Sequence, residues 1–217
     1  MTTVVLIRHG RTAANATGIL AGRTPGVLLD AVGRRQARTL GTRMREVRLD
    51  ALVHSPLERC IQTADGVLAR RPEVARHADE RLSECDYGDW TGRALAELAK
   101  EPLWPVIQEA PSSVTFPGGE SMLAMAQRAA TAVADWATRH PEGVVAVVSH
   151  GDVIKAILSA ALGQPLDELQ RIVVGPGSVS VVRYHADRTI VLRMNDTGRA
   201  LPVDRASGHP TLGGGAG

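Results

Sequence analysis

Two apolar runs in the sequence end in the same dipeptide. Leu6-Ile7-Arg8-His9-Gly10 closes the first, and Val148-Ser149-His150-Gly151 closes the second. Imidazole changes charge near neutral pH, and in its neutral form it can act as a nucleophile, a base or a metal ligand. Glycine after each histidine lets the chain turn sharply and lets a ligand approach the backbone. Ligands of open α/β sheets bind beyond the carboxyl ends of the strands, so both histidines are expected at one binding edge. Two unrelated surface histidines would explain either dipeptide alone, but they explain the pair less well. Metal ligation has little support. His150 and Asp152 stand two positions apart, which is a fragment of a site rather than a ligand set.

The elements that must carry these residues can be read from pattern. Val4–Ile7 and Val144–Val148 are short, β-branched and apolar throughout, as strands buried on both faces are. Ala51–Val53 is a weaker candidate of the same kind. Between them, Ala37, Leu40, Met44 and Val47 recur at helical steps, as do Ile61, Ala64 and Leu68 within 58–69. Helices are also expected over 120–139 and 152–162, the latter stopped by Gly163 and Pro165. Residues 178–184 and 189–193 read as a hairpin at the sheet edge. The predicted fold is α/β: a three-layer sandwich with a mostly parallel central sheet, helices on both faces and an antiparallel edge hairpin. One domain is expected over 1–196, with a small insertion at about 93–119. Its stretch from Leu103 to Gly119 holds three prolines and two glycines and is expected to be a loop. Residues 197–217, rich in Gly and Pro, are expected to be a disordered tail.

Composition narrows the function classes. A net charge of +2 in 217 residues is too weak a bias to suggest nucleic-acid binding. Six arginines between Gly33 and Arg48 read as the solvated face of a helix more readily than as a binding patch. Two cysteines make no disulfide framework, which suggests a reducing, cytoplasmic setting. No signal-peptide pattern and no membrane-spanning run is visible.

At the level of motifs the chain resembles the histidine phosphatase superfamily, also called the phosphoglycerate mutase-like family. Arg8-His9-Gly10-Arg11-Thr12 followed by Asn15 resembles its nucleophile signature. Ser55-Pro56-Leu57-Glu58-Arg59 through Gln62-Thr63-Ala64 resembles a second block, and 82–92 resembles the segment holding the proton donor. Gly118-Gly119-Glu120-Ser121 and Ser149-His150-Gly151 match two more, all in the family's order.

The resemblance implies that His9 is the nucleophile, forming a phosphohistidine, with Arg8, Arg59 and His150 around the transferred group. Arginine forks suit the equatorial oxygens of a phosphoryl group, so charge is supplied without a metal or other cofactor. Glu84 would protonate the leaving alkoxide and then deprotonate water. The family's spacing to Tyr87-Gly88 selects Glu84 over Asp86 and Asp89. Asn15, Gly22 and Gly151 fall where the family contacts substrate, together with Arg8, Arg59 and His150. Thr12 either donates its hydroxyl or caps the following segment. Arg11 replaces the usual Glu, and either favours a more anionic substrate or simply faces solvent.

Phosphatase is favoured over phosphomutase because only 25 residues lie between Gly92 and Gly118, with no Arg-Arg pair among them. Asp152, where mutases tend to carry Asn, points the same way. A non-catalytic phosphate-binding protein is the remaining rival, disfavoured because the expected reactive residues are all present. The implied partner is a small phosphorylated substrate whose remaining part is not strongly anionic. No nucleic acid or membrane partner is implied, and monomer and homo-oligomer stay open. His54, His77, His140, His185 and His209, both cysteines, and Trp90, Trp104 and Trp136 are expected to be structural, although Trp104 lies in the insertion that could cover the site.

Overall fold

A computed structural model describes residues 1–198. In chain order the elements are β1 (Thr2–Arg8), α1 (Ala13–Thr17), α2 (Ala31–Arg43), β2 (Ala51–His54), α3 (Glu58–Leu68) and β3 (Ala75–Ala78). They continue with α4 (Leu95–Leu98), α5 (Leu103–Glu109), α6 (Met122–Arg139), β4 (Val144–Ser149), α7 (Gly151–Ala161), β5 (Val179–Tyr184) and β6 (Thr189–Asp196). The strands form one sheet in the order β3-β2-β4-β1-β5-β6. β1, β2, β3 and β4 are parallel, while β5 and β6 add an antiparallel edge. This is the predicted α/β sandwich.

The uninterrupted apolar runs have a simple cause. Val4 and Leu6 of β1 pack into a core beneath α6 and α7, while Val5 and Ile7 pack into a second core beneath α2 and α3. Val145 and Val147 of β4 join the first core; Val144, Ala146 and Val148 join the second. With both faces covered, a polar side chain at Val4–Ile7 or Val144–Val148 would lose about 1.5–3 kcal/mol of apolar burial. Asp30 and Ser121 cap α2 and α6 by accepting the amides of Gly33 and Ala124.

Several expectations require correction. The stretch from Leu103 to Gly119 is not simply a loop: seven residues form α5, and Pro111–Ser113 form a 3₁₀ turn. Pro105 lies in the first turn of α5 and Pro111 opens the 3₁₀ turn, positions where a missing N–H costs little. α2 ends at Arg43, so Val47 lies beyond the helix although it is buried. The arginine run is not a uniformly solvated face, because Arg43 is buried and donates to Asp196 at 3.0 Å. β3 carried no alternating pattern and was not predicted; all four of its residues are exposed. The tail expectation falls on residues 199–217, with His209 among them, outside the described residues apart from Thr197 and Gly198. No helix among the described residues is long and apolar enough to cross a membrane.

Candidate active site

Strand register brings the two histidines together. Arg8 pairs with Ser149, so His9 and His150 leave β1 and β4 side by side. The His9 amide donates to the Ser149 carbonyl at 3.0 Å, and the rings sit edge to face with centroids 5.3 Å apart. Gly10 is required here: a Cβ would lie 2.6 Å from the Gly33 carbonyl, where the first turn of α2 packs on the histidine turn.

His9 is buried, and its Nδ1 lies 2.8 Å from the Gly10 carbonyl. Only an N–H can satisfy that oxygen, so the proton is on Nδ1 and the Nε2 lone pair is free. Burial, reinforced by the cations of Arg59 and Arg8, holds the ring's pKa well below 6.5. This is a neutral imidazole with one nucleophilic nitrogen.

Arg59 enters from the first turn of α3. Its Nη2 donates to the Gly22 carbonyl at 2.7 Å and to His150 Nδ1 at 3.1 Å. Arg8 Nη1 donates to the Val174 carbonyl at 2.5 Å. Arg8 Nε and Arg59 Nη1 are buried and have no partner among the described residues. Two desolvated guanidinium donors are costly to leave unpaired, and an oxyanion is the chemistry that satisfies them.

These groups open onto a cavity of about 300 Å³. Arg8, His9, Asn15, Gly22, Arg59, Glu84 and Gly151 all line it. His150 does not. Its Nδ1 accepts from Arg59 and its Nε2 donates to Ser55 Oγ at 2.8 Å, so it stands behind the arginine. Thr12 lines the cavity and also caps α1, since its hydroxyl accepts the Asn15 amide while Asn15 Oδ1 accepts from the Thr12 amide. That leaves the Asn15 amide NH₂ for a ligand. Arg11 is outside the cavity and donates to Asp30 Oδ2 at 2.7 Å, which supports the solvent-facing alternative.

Glu84 also lines the cavity. Burial, and next the charge of Asp152, push its pKa up to about 7, so near neutrality it can both give and take a proton. Asp152 accepts from the Tyr87 hydroxyl at 2.7 Å and pairs with Lys155 at 3.3 Å. The outer wall is apolar, with Leu20, Leu95, Trp104, Ile107 and Phe116. These residues carried no motif, so sequence reasoning missed all but Trp104; helical pattern in 103–109 was the only signal available. Cys60 and Cys85 are buried free thiols, and burial pushes Cys60 up to about 12.

A profile of the histidine phosphatase superfamily (branch 1) matches residues 4–197. The chain belongs to that superfamily. It is 30% identical over 204 residues to phosphoserine phosphatase 1 of Hydrogenobacter thermophilus, covering 91% of this chain and 93% of the relative. Bacillus stearothermophilus YhfR superposes with a TM-score of 0.85 at 31% identity, covering 92% of this chain and 99% of the other. A putative α-ribazole-5′-P phosphatase from Escherichia coli superposes with a TM-score of 0.82 at 28% identity, covering 94% and 99%. Within this superfamily the chain is a phosphatase, the reading preferred over mutase and over a non-catalytic binder.

Proposed function

We propose that the chain hydrolyses phosphomonoesters through a phosphohistidine on His9, with Glu84 as acid and then base. The observation that carries this reading is the alignment of a single-tautomer imidazole with two unpartnered buried guanidinium donors in one cavity. His9 Nε2 attacks phosphorus while the P–O ester bond breaks, and the Glu84 proton passes to the departing alkoxide. The resulting carboxylate takes a proton from water, whose oxygen attacks phosphorus as the P–N bond breaks. Orthophosphate leaves, and both residues regain their starting protonation. Arg8 and Arg59 stabilise charge on the equatorial oxygens, so no metal is required.

For the substrate we propose a phosphomonoester whose alcohol carries a flat, uncharged group. Trp104 stacks on Trp90 at 6.5 Å, and with Phe116 and Ile107 it offers an apolar wall to whatever extends from the phosphate. A zwitterion such as phosphoserine would need its own ion-pair partners, whereas Asp152 and Lys155 already pair with each other. Phosphate release in EDTA should be measured for p-nitrophenyl phosphate, sugar phosphates, 3-phosphoglycerate, phosphoserine and α-ribazole phosphate, with His9→Ala beside the wild type. Release lost in His9→Ala supports the phosphohistidine reading. A preference for phosphoserine, unaffected by Trp104→Ala, would overturn the substrate class. Two buried free thiols support a reducing, cytoplasmic setting.

A further inference from the structure

The backbone carbonyl of Glu84 is held by two arginines from distant parts of the chain. Arg23 Nε donates to it at 2.8 Å and Arg128 Nη2 at 3.1 Å. One carboxylate orders both. Glu120 Oε1 accepts from Arg23 Nη2 at 2.9 Å and Arg128 Nη2 at 2.6 Å, while Oε2 accepts from Arg128 Nε at 3.0 Å. Glu120 Oε1 also accepts the Asp86 amide at 2.9 Å, and Arg128 Nη1 donates to the Arg81 and Ser83 carbonyls at 2.7 Å each. Residues 84–87 belong to no helix or strand, so this clamp supplies the order that a regular element would otherwise give.

The peptide unit being gripped is the one that orients the side chain. On its far side the Cys85 amide donates to Glu84 Oε1 at 3.1 Å. The arginines therefore hold the carbonyl of a peptide plane whose N–H holds the carboxyl group. Rotation of that plane would swing the carboxyl within the cavity. Arg23 also neighbours Gly22, whose carbonyl receives Arg59. Adjacent residues thus tie the phosphate side and the proton side of the cavity into one register.

We propose that Glu120, with Arg23 and Arg128, positions Glu84 for proton transfer to the leaving group, and that these three govern that step rather than phosphate binding. The proposal rests on Glu84 being the donor. A purely structural role for the clamp would affect all substrates alike. A positioning role acts on the leaving group that needs a proton and spares the one that does not.

The test is the ratio of kcat/KM for glycerol 2-phosphate, whose alkoxide must be protonated, to that for p-nitrophenyl phosphate, whose phenolate leaves unaided. It should be measured for Arg23→Ala, Glu120→Gln and Glu84→Gln, with thermal unfolding of each. General acid catalysis contributes ~10²–10⁴-fold, so Glu84→Gln should lower the ratio by about 100-fold or more and the clamp variants by about 10-fold. If Glu84→Gln lowers the ratio but Arg23→Ala and Glu120→Gln leave it unchanged, the clamp proposal is wrong and the donor assignment stands. If Glu84→Gln leaves the ratio unchanged, the donor assignment fails and takes the proposal with it. Should Glu120→Gln not fold, Arg23→Ala decides alone, since the Arg23 side chain is 39% exposed and its loss leaves the core untouched.

Discussion

Arg59 Nη2 lies 3.1 Å from His150 Nδ1. A guanidinium can only donate, so that imidazole nitrogen must be the acceptor and the His150 proton must sit on Nε2, where Ser55 Oγ receives it at 2.8 Å. Burial, then the charge of Arg59, holds His150 neutral with a pKa well below its usual value. The second histidine thus serves as a post for the arginine.

A non-additive pair of substitutions follows. Arg59→Ala removes charge stabilisation and should lower kcat/KM by ~10³-fold, the scale of losing a transition-state donor. His150→Ala should cost less, on the order of 10–100-fold, because Arg59 keeps its bond to Gly22. The double variant should be within about 3-fold of Arg59→Ala, since residues acting as a unit do not add. A double variant showing the product of both losses would mean that His150 acts on substrate independently.

The pH profile has a predicted shape. Glu84 must be protonated to deliver a proton, so kcat/KM for an alkyl phosphate should fall as pH rises through about 7. His9 must be neutral, and its depressed pKa moves the acid-side limb to well below 6.5. Because the substrate phosphate ionises near ~6, an alkyl and an aryl ester should be compared. Only the alkyl ester should show the fall near 7, and Glu84→Gln should abolish it.

Arg11→Ala should leave kcat/KM within about 3-fold of wild type for every substrate, because its guanidinium serves Asp30 outside the cavity. With a side chain 41% exposed and screened by solvent, the pair contributes little to stability, so Arg11→Ala should leave the unfolding midpoint nearly unchanged. Steady-state kinetics across the substrate panel checks the first point and chemical denaturation the second.

The fold was legible where a pattern had one physical cause. β1 and β4 announced themselves because both faces are buried, and the turns at His9 and His150 were readable because glycine follows each. β3 was not legible, since its exposed residues carry no hydrophobic period. Within the site, polar residues at motif positions were readable: of the predicted site residues Arg8, His9, Asn15, Gly22, Arg59, Glu84, His150 and Gly151, the structure gathers all but His150 around one cavity. The apolar wall was not, because Leu95, Ile107 and Phe116 look like ordinary core residues until tertiary packing turns them toward the cavity. The Glu120 clamp was half legible: its motif stood out, but its partners Arg23 and Arg128 lie 97 and 8 positions away, and only the fold brings the three together.

The raised pKa of Glu84 also predicts a cost in stability. The carboxyl's pKa is about 7 folded and near 4.5 unfolded, so between those values the folded state binds the extra proton. Its favourable contribution is fully present below about pH 4.5 and is lost as pH rises toward 7, where the native state must carry a buried charge near Asp152. Glutamine at this position keeps the shape and removes the charge. Relative to wild type, Glu84→Gln should therefore gain about 1–3 kcal/mol of stability between pH 5 and pH 8. In a chain of this size that corresponds to a Tm difference growing by ~2–10 °C over the same interval. Thermal unfolding of both proteins at pH 5 and pH 8 measures it. A constant difference would mean that Glu84 titrates near its ordinary value, and the same residue could not then hold its proton at neutral pH for the leaving group.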